Sequence, residues 1–282
     1  MIRRLSVIGL GLLGGSVAKA VRAQSLAGEI VAVDRHRESL EPALREGTVD
    51  RVTTDIREGV AAADLCLLAA PVATLCEILP AVWAAAAPDA VITDVGSTKA
   101  RIVAMAERLA GERPLQFVGG HPMAGSELSD YAVARADLFR GATVILTPTE
   151  RTAPGATKQV TQLWEAVGAR VTALDPLSHD RAVAAISHLP HLVADALVDA
   201  VLRMDPAYLE LAARGFKDTT RIAASSPRVW REIFRDNRAA LREALGAFRA
   251  ALDALERLVT ADDGSATERE LERIKQARER LG

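Results

Sequence analysis

Four polar islands in the chain carry side chains able to move a proton or hold an anion. His121 lies in Gly119-Gly120-His121-Pro122-Met123-Ala124-Gly125, just past an apolar, strand-like run. A neutral imidazole there can take a proton from a hydroxyl while hydride leaves the same carbon, and its ordinary pKa suits that task near neutral pH. The competing reading is a loop histidine that holds a turn. Ser126 and Glu127 follow in the same loop, placed to hydrogen-bond a polar substrate or to cap the next helix. Ser97, in Asp94-Val95-Gly96-Ser97-Thr98-Lys99, offers a hydroxyl to a cofactor amide or to a substrate hydroxyl. With Thr98 it could equally cap the helix that follows. His188 and His191 stand three apart in Ser187-His188-Leu189-Pro190-His191. They read either as core histidines or as substrate contacts. A metal pair with Asp195 lacks the further ligands that would complete a shell, so no metal is expected. Arg221, in Gly215-Phe216-Lys217-Asp218-Thr219-Thr220-Arg221, could present a bidentate fork to a carboxylate or pair with Asp218.

These islands need a scaffold, and the first residues supply its type. The apolar run Leu5-Ser6-Val7-Ile8 stops at Gly9-Leu10-Gly11-Leu12-Leu13-Gly14, and a helical pattern follows at once. In a strand–turn–helix, the first glycine permits the tight turn, the second lets a pyrophosphate approach the backbone, and the third lets helix and strand pack closely. The free N–H groups at the helix start, around Leu12 and Leu13, favour a phosphate. A second strand, Glu29-Ile30-Val31-Ala32-Val33, ends on Asp34. An acid there accepts both ribose hydroxyls of an adenosine and repels a 2′-phosphate, which predicts NAD before NADP. Arg35, His36 and Arg37 crowd behind it and soften that preference. In open parallel sheets ligands gather at the carboxyl ends of the strands, which adds Ala70 and Pro71 to the cofactor-facing residues.

Strand and helix signals alternate through residue 174, predicting a parallel sheet covered on both faces. Beyond Asp175-Pro176 the strand signal vanishes. Residues 177–204 read as one long apolar helix that Pro190 should kink. Leu241, Leu245, Phe248, Leu252, Leu255 and Val259 recur at alternating steps of four and three, the seam of a helix packed nearly parallel to a neighbour. That neighbour belongs either to the same chain or to a second copy. The plan is an α/β Rossmann-type dinucleotide-binding domain over 1–174, followed by an all-α helical domain over 175–282.

The 282 residues carry a net charge of −2, which gives no field for holding a polyanion, so nucleic acid is not an expected partner. The two cysteines, Cys66 and Cys76, sit in apolar surroundings and read as buried reduced thiols of a cytoplasmic protein. The apolar run over 65–79 is interrupted by Pro71 and Glu77, so no membrane span is expected.

Taken in order, Gly9-Leu-Gly-Leu-Leu-Gly-Gly-Ser16, Thr93-Asp-Val-Gly-Ser-Thr-Lys99, Gly119-Gly-His-Pro-Met-Ala-Gly125, Ser187-His-Leu-Pro-His191 and Gly215-Phe-Lys-Asp-Thr-Thr-Arg221 resemble the prephenate/arogenate dehydrogenase family of tyrosine biosynthesis. The resemblance implies an NAD-dependent oxidative decarboxylation driven by aromatisation of the ring. It makes His121 the base at the ring hydroxyl, with Ser97 assisting there or at the nicotinamide. Arg221 would pair with a substrate carboxylate, and His188, His191, Ser126, Glu127 and Trp230 would line the pocket. It further implies a monofunctional homodimer joined through the helical domain, with any inhibition by tyrosine acting at the active site. Prephenate and arogenate both remain open as substrate. Two rivals stand beside this reading: a β-hydroxyacid dehydrogenase, which would lean on a helix lysine such as Lys217, and a non-catalytic NAD-binding sensor.

Overall fold

The computed structural model describes residues 2–125, 130–261 and 263–280. The first half alternates β1 (Ile2–Ile8), α1 (Leu12–Ala23), β2 (Ala27–Val33), α2 (Arg37–Arg45), β3 (Arg51–Thr53), α3 (Ile56–Val60), β4 (Leu65–Leu68), α4 (Val72–Ala85), β5 (Val91–Asp94), α5 (Ala100–Ala110) and β6 (Phe117–Pro122). It closes with β7 (Thr143–Thr147), α6 (Pro154–Ala166) and β8 (Arg170–Ala173). The strands form a single sheet in the order β3-β2-β1-β4-β5-β6-β7-β8.

Side chains alternate across this sheet with the period of two that a strand imposes. Leu5, Val7, Leu65, Leu67 and Val91 face α1, α2 and α6, meeting Val17, Val21, Leu40, Val160 and Trp164. Ile8, Cys66, Leu68 and Ile92 face α3, α4 and α5, meeting Val60, Leu75, Leu79 and Ile102. Burial on both faces explains why β4 reads as an uninterrupted apolar run. Both cysteines are free and buried, and burial pushes the Cys66 thiol up to about 12.

One expectation about the sheet needs correction. It is parallel only as far as β6; β7 runs antiparallel to β6, and β8 then pairs parallel to β7. A run such as Thr143-Val-Ile-Leu-Thr147 reads equally well in either direction, so periodicity carries no sign. The antiparallel pairing extends β6 through Gly119, Gly120, His121 and Pro122, with His121 opposite Ile145. His121 therefore stands on a strand and not in a loop.

The second half is helical: α7 (Pro176–Val183), a π-helical segment (Ala184–His188), α8 (Leu189–Met204), α9 (Arg214–Thr220), α10 (Pro227–Asp236), α11 (Arg238–Thr260) and α12 (Gly264–Glu279). Asp175 starts it by accepting hydrogen bonds from Leu177 N and Ser178 N. Where a kink at Pro190 was expected, the helix widens by a π turn just before the proline. That turn accommodates a ring that would otherwise strike the carbonyl one turn back. By length and composition, the continuous helix Pro176–Met204 could cross a membrane, a property absent from the 65–79 run to which the sequence drew attention. Its inner side carries buried His179, Asp180, His188 and His191, while Leu177, Ile186, Leu202 and Met204 are exposed. Of the six-residue stripe on α11, only Leu241 is buried, and Leu252 and Val259 are exposed. The seam is not filled by the described residues.

Candidate active site

The sheet's connectivity creates a crevice where the chain leaves β1 for β2 on one side and later enters β4 on the other. The glycine-rich turn lies there. Gly9 has φ +93°, and a side chain on it would strike the carbonyl of Ala69. A side chain on Gly14 would strike the carbonyl of Gly9 and sit 2.9 Å from Ala69 Cβ. Gly11 begins α1 with no side-chain cap, so the first-turn N–H groups of Leu12, Leu13 and Gly14 remain open to an anion. Asp34 directly follows β2 beside this turn, its carboxylate 3.5 Å from Leu10 N, and Arg35 behind it is exposed. Ala70 and Pro71, at the end of β4, flank the same crevice. An uncapped helix start, two glycines that no side chain could replace and an acid beside the turn fit a dinucleotide.

Next along the sheet, β5 and β6 bring the chemistry-bearing ends together. Asp94 accepts hydrogen bonds from Gly96 N (2.8 Å) and Gly120 N (3.2 Å) and pairs with Lys99 Nζ, both side chains being fully buried. A Cβ on Gly120 would lie 2.7 Å from the Asp94 carbonyl, so only glycine lets the strands close here. Ser97, partly exposed, does not cap α5, whose N-cap residue is Lys99. The open N–H groups of Lys99 and Ala100 are instead taken by the carboxylate of Asp180 from α7, at 2.8 and 3.0 Å. Thr98 does not cap either: its hydroxyl donates to Asp236 of α10 at 2.6 Å. The two halves of the chain are thus tied together at the mouth of the site.

His121 is buried, and its Nδ1 lies 2.9 Å from Nε2 of His179. His179 Nδ1 lies 2.8 Å from Asp180 Oδ1. Among the described residues, His121 Nε2 has no partner. Burial first, then the electrostatic influence of His179, Lys99 and His188, holds the His121 imidazole well below its ordinary pKa of 6.5. It is neutral at physiological pH.

His188 and His191 are both buried, and the π segment between α7 and α8 sets their direction. His179 and His188 are about two and a half α-helical turns apart, which would place them on opposite faces; the residue added by the π turn reduces that offset. Asn237 then donates to both the Asp180 carbonyl (2.7 Å) and His188 Nδ1 (3.2 Å). That bond leaves Nε2 of His188 as the N–H donor of a neutral ring, whose pKa burial lowers to about 4. His191 stacks on Trp230, ring centroids 3.5 Å apart, and Phe234 packs against both. Among the described residues, His188 Nε2 and His191 Nδ1 are buried without a hydrogen-bond partner. These two unpaired polar atoms lie beside the rings of Trp230 and Phe234 and are groups that a polar ligand could satisfy.

Arg221 is not drawn into this cluster. It opens the short 3-10 turn Arg221–Ala224 at the foot of α8, exposed and without an ion pair among the described residues. Asp218, its suspected partner, pairs with Arg214 one helical turn earlier. Ser126 and Glu127 lie outside the described residues. His179 and Asp180 carry no motif and escaped the sequence reading; the only hint was a histidine next to an acid at the start of the second half.

Both halves of the chain match known proteins. The family descriptions "Prephenate dehydrogenase, nucleotide-binding domain" and "Prephenate dehydrogenase, dimerization domain" match residues 17–173 and 175–274. A prephenate dehydrogenase of Bacillus subtilis is 36% identical, the alignment covering 90% of this chain and 70% of that protein. A cyclohexadienyl dehydrogenase of Zymomonas mobilis is 33% identical, over 94% of this chain and 91% of that one. The crystal structure of prephenate dehydrogenase from A. aeolicus, in complex with hydroxyphenyl propionate and NAD+, superposes with a TM-score of 0.93 at 35% identity, covering 100% of this chain and 99% of the other. With a dinucleotide crevice, a neutral buried histidine beside it and both halves matched, the chain belongs to the prephenate dehydrogenase family.

Proposed function

We infer that this chain catalyses the NAD-dependent oxidative decarboxylation of prephenate to 4-hydroxyphenylpyruvate. The observation that carries the reading is His121: neutral, buried, at the carboxyl end of β6, with Nδ1 engaged and Nε2 unpaired among the described residues. When bound, NAD supplies the hydride acceptor for the ring carbon that bears the hydroxyl. Gly9, Gly11, Gly14 and the first N–H groups of α1 would hold its pyrophosphate, Asp34 its adenosine ribose, and Ala70, Pro71 and Ser97 its nicotinamide end. His121 Nε2 takes the hydroxyl proton as the ring oxygen becomes a carbonyl. The carboxylate on the opposite ring carbon then leaves as CO2, its bonding pair completing the aromatic ring. His121 returns the proton to the phenolate. Ser97 would hydrogen-bond the reacting oxygen, Arg221 a substrate carboxylate, and His188, His191 and Trp230 the ring and side chain, together with Ser126 and Glu127.

The resting charge of His121 fixes the pH dependence. The base acts when neutral, and its pKa is lowered, so activity is lost only as pH falls through a value below 6.5. The kcat/KM profile is expected to stay flat from about pH 8 down to pH 6.5. A half-maximum at or above 6.5 would contradict the assignment. Replacing Asp34 by Ala is expected to weaken NAD binding about tenfold or more, through loss of charge-assisted bonds to the ribose, and to narrow discrimination against NADP. Fluorescence titration with each cofactor reads both effects.

Arogenate is the second reading of the substrate, favoured by the cyclohexadienyl dehydrogenase relative. The reaction itself is tested by following NADH absorbance together with trapped CO2, which must appear in equal amounts. We also read residues 175–282 as the dimerisation half of a homodimer. The uncovered apolar side chains of α8 and α11, among them Leu202, Met204, Leu252 and Val259, support that reading. The free thiols Cys66 and Cys76 support a reducing, cytoplasmic setting.

A further inference from the structure

We propose that His179 is a positioning residue that fixes which nitrogen of His121 is bare, with Asp180 setting its own proton. The proposal rests on the reading of His121 as the base. The order of protons follows from the acceptor end. The Asp180 carboxylate accepts from Lys99 N and Ala100 N, so the ring nitrogen facing it, His179 Nδ1, is the one that carries hydrogen. Nε2 of the fully buried His179 is then the acceptor, and the nitrogen facing it, His121 Nδ1, carries hydrogen in turn. The lone pair of neutral His121 is thereby confined to Nε2, the atom left for a substrate hydroxyl. Free imidazole prefers the opposite tautomer, so the chain does work that His121 alone would not.

The same chain answers for the charge that forms during reaction. Facing His121 are His179 from α7, Lys99 ahead of α5 and His188 from the π segment, and all three oppose its protonation. Asp94 is already committed to Lys99. Asp180, reached through His179, is the carboxylate in line to balance an imidazolium at His121. Both histidines are buried, so water does not substitute for the missing link.

Asp180 also caps α5, which makes its own replacement ambiguous; His179 is the position to change. His179→Leu is expected to lower kcat by about 100-fold or more, in line with loss of an orienting partner in other histidine-based sites. The KM for prephenate and the NAD affinity should stay within about threefold. His179→Gln can accept from His121 Nδ1 and donate to Asp180, and should recover about tenfold of the loss. In 15N spectra of the histidine rings, His121 should carry hydrogen on Nδ1 in the natural chain and on Nε2 in His179→Leu. A His179→Leu enzyme with kcat within about twofold of the natural one overturns the proposal. So does Nε2–H on His121 in the natural chain, a result that holds even if the leucine variant fails to fold. His121→Asn is measured alongside. Its retention of activity would refute the base itself, whereas an inactive His121→Asn beside an active His179→Leu refutes only the positioning role.

Discussion

Replacing His121 by Asn is expected to cut kcat by ~10²–10⁴-fold while NAD affinity and KM change little. Asparagine keeps a polar side chain of similar reach and can still bond His179, so the strand pairing of β6 should survive. What disappears is the lone pair proposed to receive the hydroxyl proton. Because that proton moves only as the carbonyl forms, the loss falls on the transition state and not on the ground-state complex. Steady-state kinetics with separate titration of NAD reads the difference. A variant with kcat near that of the natural chain would remove His121 from the chemistry.

Lys99→Met should be the most destabilising single change near the site. Lys99 and Asp94 are both fully buried, and the carboxylate also receives Gly96 N and Gly120 N. Removing one partner leaves a buried charge uncompensated, which costs about 3–5 kcal/mol, whereas replacing both partners is often close to neutral. For a chain of this size the single variant should melt on the order of 10 °C lower. The double variant Asp94→Asn/Lys99→Met should recover part of that loss. Calorimetry on the three proteins decides it, and equal melting temperatures for single and double variants would mean that the pair is not the relevant interaction. The same single change removes a cation that disfavours protonation of His121. The acid limb of its pH profile should therefore move upward toward 6.5, which links the buried pair to the chemistry above it.

The parts of the site that are legible in the sequence are those that local chain geometry demands. A turn as tight as that at Gly9, where φ is +93°, must be glycine, and Asp34 is placed by the length of one strand–helix–strand unit. His121 is found because ligands gather at strand ends, although its strand turned out longer than its apolar run. Contacts between distant residues left no such trace. His121 meets His179 across 58 positions, and Asp180 caps α5 across 81, with nothing at either end to announce the pairing. The sign of β7 was hidden for a related reason, since alternation fixes a strand but not its direction. At Pro190 the sequence marked a disturbance without its form: a π turn and a kink both relieve the same clash. The four-three spacing marks a stripe on α11 but not what covers it, and among its six residues only Leu241 is buried by the described chain.

The assignments of His121, Asp34 and the substrate pocket all depend on one reaction, the oxidative decarboxylation of prephenate by NAD. The measurement that tests it most directly is the initial rate of NAD reduction by the purified chain, with prephenate and arogenate offered separately and NADP as the alternative cofactor. Turnover of prephenate with NAD is expected, with much weaker use of NADP and loss of that rate in His121→Asn. Turnover of arogenate alone would keep the base and the cofactor site and contradict the substrate. No reduction with either substrate and either cofactor would contradict the account as a whole.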